Sequence, residues 1–146
     1  MIIKATSVQF KDIAHIEYNS GYIWSKYSFE KEQEFAKKLL ESELVFLYNY
    51  ENKTVGYISL RIENNVCEIG MSVHKNYQRR GVGTKLLEYA IQYCKSQNIN
   101  TILLDVWSEN PAVNLYKKVG FKVIEETKKF YENGDSLLKM KLNLEK

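Results

Sequence analysis

Three β-rich runs separated by two short turn segments place the strongest constraint on how this 146-residue chain can fold. The runs are Leu44 to Tyr50, Thr54 to Ile62 and Val66 to Val73, and they are rich in residues that strands favour. The segments between them, 51–53 and 64–65, contain the Asn residues typical of turns. Because turns this short join antiparallel neighbours, the sequence predicts an antiparallel meander.

The second half of the chain alternates helix and strand patterns. Residues from Val82 to about Asn98 carry apolar side chains at helical spacing, and Thr101 to Trp107 form an apolar strand. Because a helix separates this strand from the one ending at Val73, the two are predicted to be parallel neighbours joined by a crossover. The other predicted elements are a strand at Ile2 to Ala5, helices from Phe10 towards Gly21, from Ser28 to Ser42 and from Ala112 to Val119, and a hairpin of Phe121 to Tyr131 and Ser136 to Leu144 around Asn133-Gly134.

These elements predict an α/β fold with a mixed sheet, mostly antiparallel, containing one parallel strand pair and about four helices. A 45% hydrophobic fraction and a single proline are typical of a compact globular chain. No repeat, low-complexity tract or flexible linker divides the sequence. We therefore expect one domain over residues 1–146.

Composition also excludes several classes of protein. No apolar run is long enough to span a membrane, and the N-terminus lacks the pattern of a secretory signal, so we expect a cytoplasmic protein. Two cysteines and two histidines offer no recognisable metal spacing, and no metal is expected. The net charge of +3 is mild and well mixed along the chain, so nucleic-acid binding is not expected.

The segment Gln78-Arg79-Arg80-Gly81-Val82-Gly83-Thr84 leaves a predicted strand and opens a predicted helix. A helix start presents free backbone N–H groups and a positive dipole end, which together attract phosphate. Gly81 and Gly83 allow a ligand to approach the backbone closely, and Arg79 and Arg80 add charge-assisted contacts. The segment therefore predicts a pyrophosphate-binding loop, although the two glycines could instead only shape a turn.

Two other phosphate-binding motifs do not fit these residues. A P-loop ends in Gly-Lys-Ser/Thr, whereas Thr84 here precedes Lys85. A dinucleotide-binding fingerprint requires a third glycine, and Leu86 occupies that position.

The chain resembles the GNAT superfamily of N-acetyltransferases, whose cofactor motif is Gln/Arg-x-x-Gly-x-Gly/Ala. Gln78 to Gly83 matches every specified position, and Met71-Ser72-Val73 lies where the family's strand ends before the loop. The order of elements agrees along nearly the whole chain. A downstream segment of the family is also matched, by Asn110, Ala112, Leu115, Tyr116, Lys118, Gly120 and Phe121.

This resemblance implies an acyl-CoA N-acyltransferase fold in which the parallel strand pair splays and admits acetyl-CoA as co-substrate. Backbone groups of Met71 to Val73 would pair with the pantetheine arm, and a backbone N–H near Met71 would hold the oxyanion. The acceptor, a primary amine, would attack the thioester directly in a ternary complex. Tyr116 resembles the family's general acid, and Asn110 would line the cofactor.

The general base is the least constrained assignment. Glu68 is the carboxylate nearest the loop along the chain and is the candidate base, directly or through a water. Cys67 occupies the position where some relatives carry a catalytic glutamate, so Glu68 is expected to face the other side of the strand. A covalent role for Cys67 is not expected, since members of this family usually transfer the acetyl group directly from acetyl-CoA to the amine.

Aromatic residues mark the regions that select the acceptor in this superfamily. They could form a slot for a cationic or peptide substrate, or they could belong to the core. The overall pattern is most similar to the ribosomal-protein alanine acetyltransferase branch, which implies a peptide or protein N-terminal α-amine as acceptor. The aromatic residues concerned are Tyr18, Tyr22, Trp24, Tyr27, Phe29, Phe130 and Tyr131.

Other functions stay open at this point. Polyamines, amino acids or aminoglycosides are alternative acceptors, and a non-catalytic acetyl-CoA-binding module is a further alternative. The expected partners are acetyl-CoA and an amine, with no nucleic acid and no membrane, in a monomer or a homodimer.

Overall fold

The helix and strand patterns of the sequence form seven strands and four α-helices within residues 1–20 and 28–144, the part of the chain that the computed structural model describes. Two 3-10 segments, Ser7–Gln9 and Lys75–Tyr77, lie among them. The strands are β1 (Ile2–Lys4), β2 (Leu44–Tyr50), β3 (Lys53–Glu63), β4 (Val66–Val73), β5 (Thr101–Trp107), β6 (Lys122–Thr127) and β7 (Leu137–Asn143), and the helices are α1 (Phe10–Tyr18), α2 (Phe29–Ser42), α3 (Val82–Ser96) and α4 (Ala112–Val119).

The seven strands form one mixed sheet in the order β1-β2-β3-β4-β5-β7-β6. The β1–β2, β2–β3, β5–β7 and β6–β7 pairs are antiparallel, and β4 pairs with β5 in parallel. The parallel ladder joins Val66–Glu68 to Thr101–Leu103, although both strands continue beyond it. The predicted α/β class, its single parallel pair and its four helices are confirmed.

One compact unit contains Met1–Arg61 and Met71–Ile91. Helices α1 and α2 bury their apolar stripes against alternate residues of β2 and β3. This arrangement is expected because side chains return to the same face every 3.6 residues in a helix and every second residue in a strand. This cluster consists of Ile13, Ala14, Ile16, Ala36, Leu39, Val45, Leu47 and Tyr57.

Gly56 lies on the opposite face of β3 from Tyr57, where the start of α3 packs closely. A Cβ at Gly56 would lie 3.0 Å from Cγ1 of Val82, 3.2 Å from Cδ1 of Leu86 and 3.3 Å from the carbonyl oxygen of Ser72. The missing side chain therefore allows the helix that follows the glycine-rich loop to approach the sheet.

The second compact unit contains Ile62–Gly70 and Gln92–Lys146. Alternate residues of β5 are buried, as a sheet with one covered face requires. Its core contains Cys67, Cys94, Ile102, Leu104, Val106, Val113, Tyr116, Phe121, Leu138 and Met140. The expectation of a single domain over residues 1–146 stays a prediction.

Helix ends follow the sequence signals. Ser28 caps α2, since its Oγ accepts a hydrogen bond from the Lys31 N–H at 3.3 Å. Helix α2 ends at Ser42, as predicted. Helix α3 ends at Ser96, before the predicted Asn98, because Asn98 has a left-handed φ of 58° that closes the helix. Gly21, the predicted stop of α1, lies outside the described residues.

The hairpin near the C-terminus forms, but the first of its predicted strands was too long. Strand β6 ends at Thr127, opposite Leu137, and residues 128–136 form a loop. Lys129 has a left-handed φ of 54°, and the Asn133 Oδ1 accepts a hydrogen bond from the Asp135 N–H at 3.0 Å. This side-chain turn replaces the tight two-residue turn that Asn-Gly suggests.

The two edges of the sheet are β1 and β6. Every residue of β6 is exposed, and the strand carries charges at Lys122, Glu125 and Glu126. Its pairing with β7 shifts register between Val123 and Glu125. No helix among the described residues is long and apolar enough to cross a membrane.

Candidate functional site

The glycine-rich loop has the backbone shape of an anion-binding turn. Arg79 and Gly81 have left-handed φ values of 63° and 83°. Helix α3 begins at Val82, and the Lys85 N–H donates to the Gly81 carbonyl at 3.0 Å. The N–H groups of the first helical turn have no acceptor inside the helix, so they are able to bind an anion. The predicted strand-to-helix loop is therefore present, with a 3-10 turn between β4 and Gln78.

The two glycines of the loop differ in role. Gly81 occupies a conformation that side chains disfavour, with nothing within 4 Å of an added Cβ. Gly83 lies inside the first turn of α3, so a helical conformation suffices for it. The remaining reason for glycine at position 83 is that the missing Cβ would let a ligand approach the backbone closely.

Two exposed guanidinium groups belong to the loop. Arg79 and Arg80 both lie at the surface, and the Arg80 guanidinium stands over the Tyr77 ring, 5.3 Å from its centroid. This cation–π contact orients Arg80 without removing its charge. Positive charge is thus available beside the helix start.

Gln78, predicted to bind cofactor, has a structural task as well. Its Nε2 donates to the carbonyl oxygens of Ser20 and Val73, at 2.9 Å each. These bonds tie the residues after α1 to the end of β4. Because Ser20 is 58 residues away in sequence, no local pattern could have revealed this contact.

A carboxyl group that sequence reasoning missed lies against β3 and β4. Glu17 of α1 accepts hydrogen bonds from the Tyr57 hydroxyl and from the Ser72 hydroxyl. Desolvation raises the pKa of Glu17, and the two hydrogen bonds oppose that rise. Its position at helical spacing had indicated only a helix face.

Tyr116 and Asn110 belong to the second unit. Tyr116 is 5% exposed, and its ring lies 5.6 Å from the Phe121 ring in an edge-on contact. Asn110 lies two residues before the first residue of α4, and its Oδ1 accepts a hydrogen bond from the Ala112 N–H at 2.9 Å. Packing therefore accounts for part of the Tyr116 environment, and the catalytic assignment stays a prediction.

Glu68 and Cys67 face opposite sides of β4, as expected. Cys67 is fully buried, whereas Glu68 is partly exposed. Both cysteines are free thiols, and a hydrogen bond from Cys67 lowers the pKa of Cys94. Cys67 therefore lies in the core, and the role of Glu68 as a base stays a prediction.

A polar cavity of about 480 Å³ lies beside the 3-10 turn. The rings of His15 and His74 stand 5.4 Å apart in it. The His74 Nδ1 accepts from the Asn76 N–H at 3.1 Å, and burial, His15 and Lys75 lower the pKa of His74. No group of three or more metal-binding side chains occurs within residues 1–20 and 28–144.

The aromatic residues proposed for acceptor selection are only partly described. Tyr18 and Phe29 make an edge-on contact at 5.8 Å, and Phe130 and Tyr131 do so at 5.0 Å. Phe130 is 54% exposed, so it is no core residue. The remaining three, Tyr22, Trp24 and Tyr27, lie outside the described residues.

Asp105 is a second acidic residue that the sequence patterns did not single out. It lies on β5 opposite Lys139, with 3.5 Å between Oδ1 and Nζ. Burial and the charge of Asp105 raise the pKa of Tyr131. Lys139 and Tyr131 thus share the electrostatic field of one carboxylate.

A family model and a curated relative both match this chain, and both are acetyltransferases. The family model described as "Acetyltransferase (GNAT) family" matches residues 9–121. An N-alpha-acetyltransferase from Sulfurisphaera tokodaii is 32% identical over 117 residues, which cover 69% of this chain and 70% of that protein.

Solved structures share the fold. The ribosomal-protein-S18-alanine N-acetyltransferase from Escherichia coli superposes with a TM-score of 0.84 at 23% identity, covering 100% of this chain and 96% of the other. A spermidine N-acetyltransferase chimera from Vibrio cholerae and hSSAT gives 0.82 at 20% identity, covering 99% and 95%. Since these two proteins are named for different acceptors, the fold alone does not select one.

Proposed function

This chain belongs to the acetyltransferase (GNAT) family, and we propose that it acetylates the N-terminal α-amine of a peptide or protein. The family match over residues 9–121 carries the acetyltransferase activity. The α-amine is supported by the 32% identity to a protein named N-alpha-acetyltransferase. The resemblance to the ribosomal-protein alanine acetyltransferase branch supports the same acceptor class.

The loop from Gln78 to Thr84 fits acetyl-CoA, the family's co-substrate. Its left-handed Gly81, the start of α3 and the two exposed arginines supply N–H groups and charge for a pyrophosphate. Backbone groups of Met71–Val73 would pair with the extended arm. When bound, acetyl-CoA supplies an activated thioester.

The roles of the chain's own residues follow from the proton balance. An amine that is protonated in solution loses one proton before it attacks the thioester carbon and a second as the amide forms and the C–S bond breaks, and the departing thiolate gains one. Tyr116 is proposed to donate the proton to sulfur, Glu68 to accept the proton lost before attack, and solvent to take up the other. The N–H near Met71 is proposed to donate to the thioester oxygen.

An α-amine demands less of a base than a side-chain amine does. Deprotonation at pH 7 costs roughly 1.4 kcal/mol for an α-amine of pKa near 8, but roughly 4.6 kcal/mol for a lysine-like amine near 10.4. A partly exposed carboxylate such as Glu68 therefore suffices for an α-amine. This difference favours N-terminal acceptors over lysine side chains and polyamines.

A matched substrate panel tests the acceptor. One peptide carries a free N-terminus and no lysine, and its partner has a blocked N-terminus and one lysine; spermidine is the third acceptor. With release of free CoA thiol as readout, we expect kcat/KM for the free N-terminus to exceed the others by about tenfold or more.

A preference for spermidine or for the blocked peptide would overturn the α-amine assignment. Saturable acetyl-CoA binding with no turnover on any acceptor would favour the non-catalytic module instead. We further propose a cytoplasmic location, which suits the free thiols of Cys67 and Cys94, and a monomer or homodimer without nucleic-acid or membrane partners.

A further inference from the structure

We propose that Glu17 is a positioning residue: by holding Ser72, it fixes the backbone of Met71–Val73, the segment that pairs with acetyl-CoA. The inference rests on the proposed function, since it concerns the same cofactor strand. It assigns a task to a charged side chain of α1 that the loop motif does not include.

The position of Glu17 relative to the strand follows from the register. The His74 N–H donates to the Val55 carbonyl at 2.9 Å. Counting two residues back along β4 and two forward along β3 places Ser72 beside Tyr57 on one face of the sheet. Both hydroxyls donate to the Glu17 carboxyl, which crosses this face on α1.

A carboxylate suits this place because it accepts hydrogen bonds and donates none. Burial and the charge of Glu17 raise the pKa of Tyr57 well above its usual value, so the phenol keeps its proton and donates. Ser72 is 7% exposed, so few waters can replace the carboxylate as its acceptor. The side chain of Ser72 is therefore directed towards α1 by Glu17.

Two further contacts hold the same strand at its end. The Lys75 N–H donates to the Asn19 carbonyl at 2.8 Å, and the Gln78 side chain joins Ser20 to Val73. Residues at the end of α1 thus hold β4 and the following turn at three successive points. Of the three contacts, only that of Glu17 involves the middle residue of Met71–Val73, and only Glu17 brings a charge to it.

The charge makes the contact dependent on pH. Facing Glu17 are the phenol of Tyr57 from β3, the hydroxyl of Ser72 from β4 and the carboxyl of Glu32 from α2. Burial and the charge of Glu17 also raise the pKa of Glu32. Protonation turns one carboxylate oxygen of Glu17 from a hydrogen-bond acceptor into a donor. Acidification therefore weakens the hydrogen bond from Ser72 to Glu17.

The test compares Glu17→Gln and Ser72→Ala with Glu34→Gln, a control that removes an exposed carboxylate from α2. Acetyl-CoA affinity is measured by titration calorimetry, which needs no acceptor. We expect Glu17→Gln and Ser72→Ala to weaken binding about tenfold each, equivalent to one hydrogen bond to a charged group. The double variant should bind no worse than Ser72→Ala, because Glu17 acts through Ser72.

A pH profile separates positioning from general loss of stability. For the wild type, the acetyl-CoA affinity measured by calorimetry without acceptor should fall on the acidic side as Glu17 is protonated, and this acidic limb should be reduced in Glu17→Gln. Glu34→Gln should keep both the wild-type affinity and the wild-type profile.

Unchanged affinity and an unchanged acidic limb in Glu17→Gln would overturn the inference, as would additive losses in the double variant. If Glu17→Gln does not fold, the affinity of Ser72→Ala decides alone, and wild-type binding by it overturns the inference. Failure of the wild type to bind acetyl-CoA would instead reject the proposed function.

Discussion

Gly81 and Gly134 share a left-handed backbone, with φ values of 83° and 93°, and an added Cβ would meet nothing within 4 Å at either position. Only Gly81 lies in the loop that we propose binds acetyl-CoA. The pair therefore separates the cost of backbone strain from the loss of a ligand site.

We expect Gly81→Ala and Gly134→Ala each to lower the free energy of unfolding by about 1 kcal/mol, because alanine resists this conformation. Only Gly81→Ala should also weaken acetyl-CoA binding, since in the proposed site its Cβ would obstruct the pyrophosphate. Denaturant titration and calorimetry measure the two effects. Equal acetyl-CoA affinities for the two variants would remove Gly81 from the cofactor loop.

Tyr116→Phe removes one hydroxyl while keeping the ring that packs on Phe121. We expect kcat to fall about 100-fold, the scale of a lost general acid, with little change in the dissociation constant of acetyl-CoA. Steady-state kinetics and calorimetry provide the two values. A wild-type kcat would leave Tyr116 a packing residue only.

Sequence patterns could not predict the hydrogen bonds that join side chains of the site to residues far away in the sequence. The left-handed Gly81 follows from the motif, because few other residues fit such a turn. The contact of Glu17 with Tyr57 joins residues 40 apart, and the contact of Gln78 with Ser20 joins residues 58 apart. Local periodicity carries no information on such pairs.

At the scale of elements, strands bounded by clear turns were predicted best. Leu44–Tyr50 and Thr101–Trp107 have the predicted bounds because polar or turn residues follow both strands. Strand β6 was predicted too long because the apolar residues Phe130 and Tyr131 continue its pattern into the loop. Their rings pack on each other at 5.0 Å instead of pairing in the sheet.

The packing of α3 on β3 depends on the absence of a side chain at Gly56. Gly56→Ala would place a Cβ 3.0 Å from Cγ1 of Val82, so we expect a loss of about 1–3 kcal/mol of stability from overpacking. Denaturant unfolding of the variant measures the loss.

The companion variant Val82→Ala removes the methyl group that the new Cβ would meet. In the double variant the two changes should cost less than the sum of their separate effects. Additive costs, or a stable Gly56→Ala, would show that α3 does not depend on this close approach.

Stability as a function of pH is a property of the whole molecule, and Glu32 contributes to it. The side chain is 6% exposed, and burial raises its pKa above the ordinary value of 4.5. At pH values between the ordinary pKa of Glu32 in the unfolded chain and its raised pKa in the folded protein, the folded state binds more protons than the unfolded state. The free energy of unfolding therefore decreases as pH rises through that window.

We expect Glu32→Gln to stabilise the protein at pH 7, because the buried charge is removed, and to give a smaller gain near pH 4, where Glu32 is largely protonated already. Urea titrations at the two pH values measure the difference from wild type. Glu34→Gln, on the exposed side of α2, should show no such pH dependence. A gain for Glu32→Gln that grows on acidification would contradict the sign.

The whole fold was predicted more completely than the acceptor. Alternation of helices and strands determines the order of elements, and the short turns determine the meander. Acceptor choice depends on pocket shape, and proteins named for a ribosomal-protein alanine and for spermidine share this fold. For this reason the acceptor needs the substrate panel.

The open edge at β6 affects how copies of the molecule behave in concentrated solution. Straight, uncharged edge strands recruit strands from other copies and begin aggregation. Here the register shift between Val123 and Glu125 interrupts the regular pairing of the edge strand, and its three charged side chains oppose the addition of a second strand. Replacing those charges by threonine would turn this edge into a template for intermolecular sheet growth.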